Sequence, residues 1–223
     1  MSPESIDPKN LRVLFLGPRG GDTHTNDFEP QGRAARSVGA EFVVYDGESD
    51  GELIEALKDV DVVMAQGHGF SPEMFSEMGD NGRCKGLVSF GHGYDTMDLE
   101  SAVKNGVVLS NTASFGTEEV SNQTMLHFLV CSRKFVFHDK MVKNGGWSRD
   151  HLAPMGHIVA ETFGIIGLGN IGRAVARKAL AFGMKVIAYD PFVSSWDAKE
   201  YGVEIVTTPQ EIARRSDYVS SHV

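Results

Sequence analysis

From Leu11 onward, short apolar runs alternate with longer segments whose apolar residues recur at helical spacing. LRVLFLG from Leu11, EFVVYD from Glu41, DVVMAQG from Asp61, GLVSFG from Gly86 and GVVLSN from Gly106 read as buried strands. A parallel strand covered by helices on both faces has no polar side, so it appears as a nearly continuous apolar run. Helices are expected between these runs, near Gln31–Val38, Gly51–Leu57, Pro72–Glu77 and Met97–Asn105. Such alternation builds a parallel sheet with crossover helices. The expectation is an α/β chain with a flavodoxin-like first domain over residues 1–116.

The pattern changes at Thr117. From there to Lys143 the chain carries no Gly or Pro, opens with Glu118 and Glu119, and stops at Asn144, Gly145 and Gly146. These are helix start and stop signals. Thr117 is expected to cap free amides, and the glutamates suit the positive end of the helix dipole. At 1.5 Å per residue a single helix here would span roughly 40 Å, more than one small domain needs. Residues 117–146 are therefore expected to connect two domains, with a face that a partner subunit could cover. After a loop from Trp147 to His157, alternation restarts. Strands are expected in ETFGIIG, MKVIAYD, VEIV and DYVSSHV, with helices at Asn170–Phe182, Trp196–Tyr201 and Pro209–Arg214. This is a second doubly wound unit over residues 147–223, a partial Rossmann domain with four strands where about six are usual.

Within that unit FGIIGLGNIG, Phe163 to Gly172, carries a G-x-G-x-x-G pattern between an apolar strand and a helix. Gly167 would permit the tight turn, Gly169 would let backbone approach a diphosphate, and Gly172 would let helix and strand pack closely. The diphosphate would face the amides of Asn170 and Ile171 at the helix N-terminus. The next strand ends in Asp190, near the roughly 20-residue spacing at which a carboxylate grips the adenosine ribose hydroxyls. A carboxylate there repels a 2′-phosphate, and Pro191, Phe192 and Val193 supply no cation, so NAD is expected rather than NADP.

Composition narrows the partners. The formal net charge is −9 and no Lys/Arg run occurs, which excludes a general affinity for nucleic acid or anionic membrane. No apolar run reaches the roughly 18 residues of a bilayer span, and the polar start MSPESIDPKN lacks a signal peptide's apolar segment, so a cytoplasmic protein is expected. Cys84 and Cys131 stand in unrelated contexts without metal-ligand spacing, and both read as bland thiols.

Four blocks in order resemble the D-isomer-specific 2-hydroxyacid dehydrogenases: SFGHGYDTMDL at Ser89–Leu99, GVVLSNTASFGTEEV at Gly106–Val120, FGIIGLGNIGRAVA with AYDP, and SDYVSSHV at the end. The resemblance implies a substrate domain first, a crossing helix, then an NAD domain, with a 2-hydroxy or 2-keto acid bound between domains of a homodimeric enzyme. It implies that backbone amides of Gly91, His92 and Gly93 meet the substrate carboxylate, that Thr117 lies near the cofactor phosphates, and that His222 lines the cofactor. The family's arginine, glutamate and catalytic histidine lie beyond the segment matched by the last residues. No catalytic residue is therefore assigned; the sequence corresponds to about the first two thirds of such an enzyme, and no turnover is expected from it alone.

Plainer readings stand beside these. Gly91 and Gly93 could serve only as turn residues and Thr117 only as a cap. His68 and His92, each between glycines at a strand's carboxyl end, read as substrate contacts or as ordinary loop histidines. A metal would need a third ligand, so no metal site is assigned. An alternative from another class is an NAD(H)-responsive binding scaffold like the corepressor members of the family, or a noncatalytic remnant.

Overall fold

The computed structural model describes residues 11–17, 28–45, 47, 49–148 and 155–223. Part of the expected loop from Trp147 to His157, the end of EFVVYD and the polar N-terminal segment lie outside these residues. Contacts divide the chain into two compact units, Met1–Ala113 and Ser114–Val223.

In the first unit, β1 (Arg12–Leu16), β2 (Glu41–Val44), β3 (Val62–Ala65), β4 (Gly86–Ser89) and β5 (Val108–Asn111) form a parallel sheet in the order β2-β1-β3-β4-β5. This is the flavodoxin-like 2-1-3-4-5 order. Side chains alternate across it. Leu14 and Leu16 join Leu53, Leu57, Phe75 and Leu87 on one face, and Val13 joins Ala35 and Ala40 on the other. The first face is covered by α2 (Asp50–Lys58), α3 (Pro72–Gly79) and α4 (Leu99–Lys104), the second by α1 (Glu29–Ser37). Local sequence starts these helices. Ser49 and Glu52 form a capping box on α2, Ser71 caps α3 with Pro72 in its first turn, and Asp98 caps α4.

The second unit contains α5 (Thr117–Ser132), α6 (Phe135–Lys143), a 3-10 turn at Ile158–Ala160, β6 (Thr162–Ile166), α7 (Asn170–Ala181), β7 (Lys185–Tyr189), α8 (Ser195–Glu200), β8 (Glu204–Ile205), α9 (Pro209–Arg215) and β9 (Tyr218–Ser221). Its parallel sheet runs β8-β7-β6-β9. Counted within the unit this is 3-2-1-4, the first four positions of the Rossmann order. Met125 and Phe128 of α5 pack with Phe163, Ile165, Val175 and Ala179 on one face, while Ile187, Val206 and Ile212 fill the other.

The single long helix expected from Thr117 to Lys143 is two helices. They part at Arg133 and Lys134, where Lys134 adopts a left-handed conformation with φ 48°. The burial pattern accounts for the break. Ser121, Met125, Phe128 and Ser132 form a buried stripe on α5, whereas α6 buries no residue, so the packing that holds the helix direction ends at Ser132. Thr117 also does not cap α5. Gly116 holds the N-cap position and Thr117 is the first helical residue, one place too late for its hydroxyl to reach the free amides. Glu118 instead pairs with Arg177 and Lys178 of α7 at 2.8 Å each, tying α5 to the sheet's covering layer. Among the described residues no helix is long and apolar enough to cross a membrane.

Candidate functional site

In an open parallel sheet, ligands bind beyond the carboxyl ends of strands where the strand order reverses. In the second unit that place lies between β6 and β9, which pair in register from Phe163↔Tyr218 to Ile166↔Ser221. The chain leaves β6 through Gly167, Leu168 and Gly169, and leaves β9 through His222. Gly167 has φ +90°, and a Cβ there would lie 2.6 Å from the His222 carbonyl oxygen. The glycine is thus required by the backbone and by its neighbour. Gly172 is required by packing, since a Cβ would meet the Gly167 carbonyl oxygen at 2.1 Å.

Gly169 differs from both. Its φ of −75° is open to any residue, and a Cβ would meet nothing within 4 Å. Among the described residues nothing demands glycine here, which leaves room on that side for a bound group. Gly169 is also the N-cap of α7 and supplies no side-chain cap, so the first-turn amides of Asn170 and Ile171 are available to an outside acceptor.

Asp190 stands beside this loop. Its Oδ2 accepts from the Leu168 amide at 2.7 Å and its Oδ1 from the Phe192 amide at 2.8 Å. Two backbone donors fix the carboxylate and leave acceptor capacity for hydroxyl groups, since an ionised carboxylate offers about four lone-pair sites. His222 completes the crevice. Its amide donates to the Ile166 carbonyl at 2.7 Å, while its Nε2 is buried without a hydrogen-bond partner among the described residues. Burial lowers its pKa below the ordinary histidine value, so the ring is neutral near pH 7. Thr117 Oγ1, at the start of α5, is likewise buried and unpartnered among the described residues. Uncapped amides, an open glycine side, a fixed carboxylate and an orphaned imidazole nitrogen fit a dinucleotide.

The first unit holds the other expected residues. His68 follows β3 and is buried, with Nε2 2.6 Å from the Gly17 carbonyl oxygen at the end of β1. The sheet order reverses between β1 and β3, so this ring spans that unit's own switch point. Gly91, His92 and Gly93 follow β4. Their carbonyls accept from the side chains of Thr112 at 3.1 Å, Asn111 at 2.7 Å and Ser89 at 3.1 Å, respectively. In a trans peptide the next N–H points opposite the carbonyl, so the amides of His92, Gly93 and Tyr94 point away from the groups holding those carbonyls. His92 Nδ1 lies 3.0 Å from the Ala113 carbonyl, which orients its ring.

Of the thiols, Cys84 is buried and its pKa is pushed up to about 11 by that burial, whereas Cys131 is exposed. Sequence reading passed over Asn111 and Thr112, which anchor the loop after β4, and Arg173, whose Nε donates to the Leu168 carbonyl at 3.0 Å. The only signals were an Asn-Thr pair closing a strand and an arginine directly after the last loop glycine.

Residues 125–223 match the family model described as D-isomer specific 2-hydroxyacid dehydrogenase, NAD binding domain. The chain is 31% identical over 183 residues to the D-3-phosphoglycerate dehydrogenase of Methanocaldococcus jannaschii, covering 82% of this chain and 34% of that protein. It is 33% identical over 172 residues to the hydroxypyruvate reductase of Thermotoga maritima, covering 77% of this chain and 54% of that one. Among solved structures, the D-lactate dehydrogenase of Aquifex aeolicus complexed with NAD and lactic acid matches with a TM-score of 0.78 and 27% identity, over 95% of this chain and 60% of that chain. The chain therefore spans from about a third to about half the length of these two curated relatives.

Proposed function

The chain belongs to the D-isomer-specific 2-hydroxyacid dehydrogenase family, and from that premise we propose that it is part of an NAD-dependent oxidoreductase that interconverts a 2-hydroxy acid and its 2-keto acid. Bound NAD would supply the hydride acceptor, and NADH the donor. The α7 amides of Asn170 and Ile171 would receive the diphosphate, with Gly169 giving it close approach. Asp190 would accept from the ribose hydroxyls, and His222 and Thr117 would present their buried polar atoms to the cofactor.

On the substrate side, the loop Gly91–Gly93 would offer amides to the carboxylate of the acid, a role supported for His92 and Gly93 by the pinned carbonyls of Gly91 and His92. His92 sits on that loop and would contact the anionic substrate, whereas the hydrogen bond of His68 to Gly17 favours a structural role for that ring. The substrate-domain boundary is taken near residue 116, and the complete protein is read as a cytoplasmic homodimer without affinity for nucleic acid.

Asp190 carries the cofactor reading, because its carboxylate is held by an amide of the glycine loop itself. Titration of the 223-residue chain by nucleotide fluorescence should give tighter binding of NADH than of NADPH. Asp190→Ala should weaken NADH binding about tenfold, the order expected for hydrogen bonds to a charged group, and narrow the preference. Equal affinities in the wild-type chain would discard the ribose role.

A further inference from the structure

We propose that Arg173 is a positioning residue of the cofactor loop, holding the Leu168–Gly169 peptide in the orientation that a diphosphate requires; the proposal rests on the NAD reading above. Leu168 is gripped on both sides. Its amide donates to Asp190 at 2.7 Å, and its carbonyl accepts from Arg173 Nε at 3.0 Å. The peptide joining Leu168 to Gly169 is planar and trans, so fixing the carbonyl toward the guanidinium turns the Gly169 N–H the opposite way.

That orientation matters at a glycine. A residue without Cβ has little steric bias between alternative backbone conformations, so this peptide can rotate unless something holds it. Rotated, it would replace an N–H with a carbonyl oxygen on the side it now faces. An oxygen there repels a diphosphate, whereas an N–H binds it. A Cβ built at Gly169 would meet nothing within 4 Å, so no packing at that position sets this orientation.

Arg173 is itself supported. Its guanidinium lies over the Tyr201 ring at 5.1 Å from the centroid, an attractive contact that restrains the side chain's swing. The planar guanidinium delivers Nε along a fixed direction, which a flexible ammonium cannot. The chain of contacts therefore runs from Tyr201 through Arg173 and Leu168 to Asp190.

The test is NADH and NADPH titration of the 223-residue chain, the Arg173→Met variant and two Tyr201 variants, at a temperature where circular dichroism shows each folded. Arg173→Met should raise the Kd for both nucleotides about tenfold and by the same factor, because the diphosphate is common to them. Tyr201→Leu should shift both in the same direction by a smaller factor, and Tyr201→Phe, which keeps the ring face, should restore wild-type affinity. Without nucleotide, Arg173→Met should also speed hydrogen exchange at the Leu168 amide while leaving β7 protected. Wild-type binding with an Arg173→Met Kd within twofold of it overturns this proposal alone. A wild-type chain that binds neither nucleotide overturns the cofactor reading and this proposal together.

Discussion

Gly169 and Gly172 separate two reasons for glycine within four residues. A Cβ at position 172 would meet a backbone oxygen at 2.1 Å, and backbone cannot step aside cheaply. Gly172→Ala should therefore destabilise the second unit by about 1–3 kcal/mol, the usual cost of overpacking. A Cβ at position 169 meets nothing within 4 Å, so Gly169→Ala should cost under about 1 kcal/mol, mainly through the poorer N-cap. It should nevertheless weaken NADH binding at least tenfold by crowding the diphosphate. Urea unfolding and nucleotide titration of the two variants measure both quantities; a Gly169→Ala chain that binds NADH as the wild type does would remove the ligand from the explanation of that glycine. At this scale the sequence was informative where a residue type has one physical use. The placement of the glycine loop between β6 and α7 could be read from spacing, and so could that of Asp190 at the end of the next strand. Arg173 could not, because its role depends on which way a peptide carbonyl points. His68 could not either, because only the adjacency of β1 and β3 brings it to Gly17.

Strands and most helices were legible for a related reason: burial on both faces writes continuous apolar runs, and Ser49, Ser71, Asp98, Ser194 and Thr208 mark helix starts with their own hydrogen bonds. The break between α5 and α6 left no such mark. Its left-handed residue is a lysine, which seldom adopts that conformation and gives no local signal. Only the end of the buried stripe at Ser132 explains it. The geometry makes a prediction of opposite sign to a continuous helix. At φ 48° glycine escapes the steric penalty that lysine bears, so Lys134→Gly should leave stability unchanged or raise it by up to about 1 kcal/mol. Inside an unbroken helix the same change would cost about 1 kcal/mol. Chemical denaturation of the variant distinguishes them, and a loss of that size would restore the single long helix.

Over the whole molecule, each unit has its own buried core, and large apolar side chains stay outside both. Leu126 on α5 and Phe135 and Val142 on α6 are exposed, with Phe135 60% accessible. Phe135 and Val142 are seven residues apart, so they share one face of their helix. The homodimer proposed for the complete protein would cover that face with a second copy of the chain. Electrostatics then sets the sign of the salt effect. Each chain carries a formal charge of −9, so two copies repel, and the attraction between them must come from burying this apolar surface. Screening the repulsion with salt leaves the apolar term in place. The dimer should therefore tighten between about 0.05 M and 0.5 M sodium chloride, across which the Debye length falls well below its value of roughly 10 Å at 0.1 M. Sedimentation equilibrium should report twice the mass of one chain, and the double variant Phe135→Asp with Val142→Asp should sediment as a monomer with an unchanged circular dichroism spectrum. A wild-type chain that stays monomeric at tens of micromolar, or a dimer that dissociates as salt is added, would rule out an apolar interface on α5 and α6.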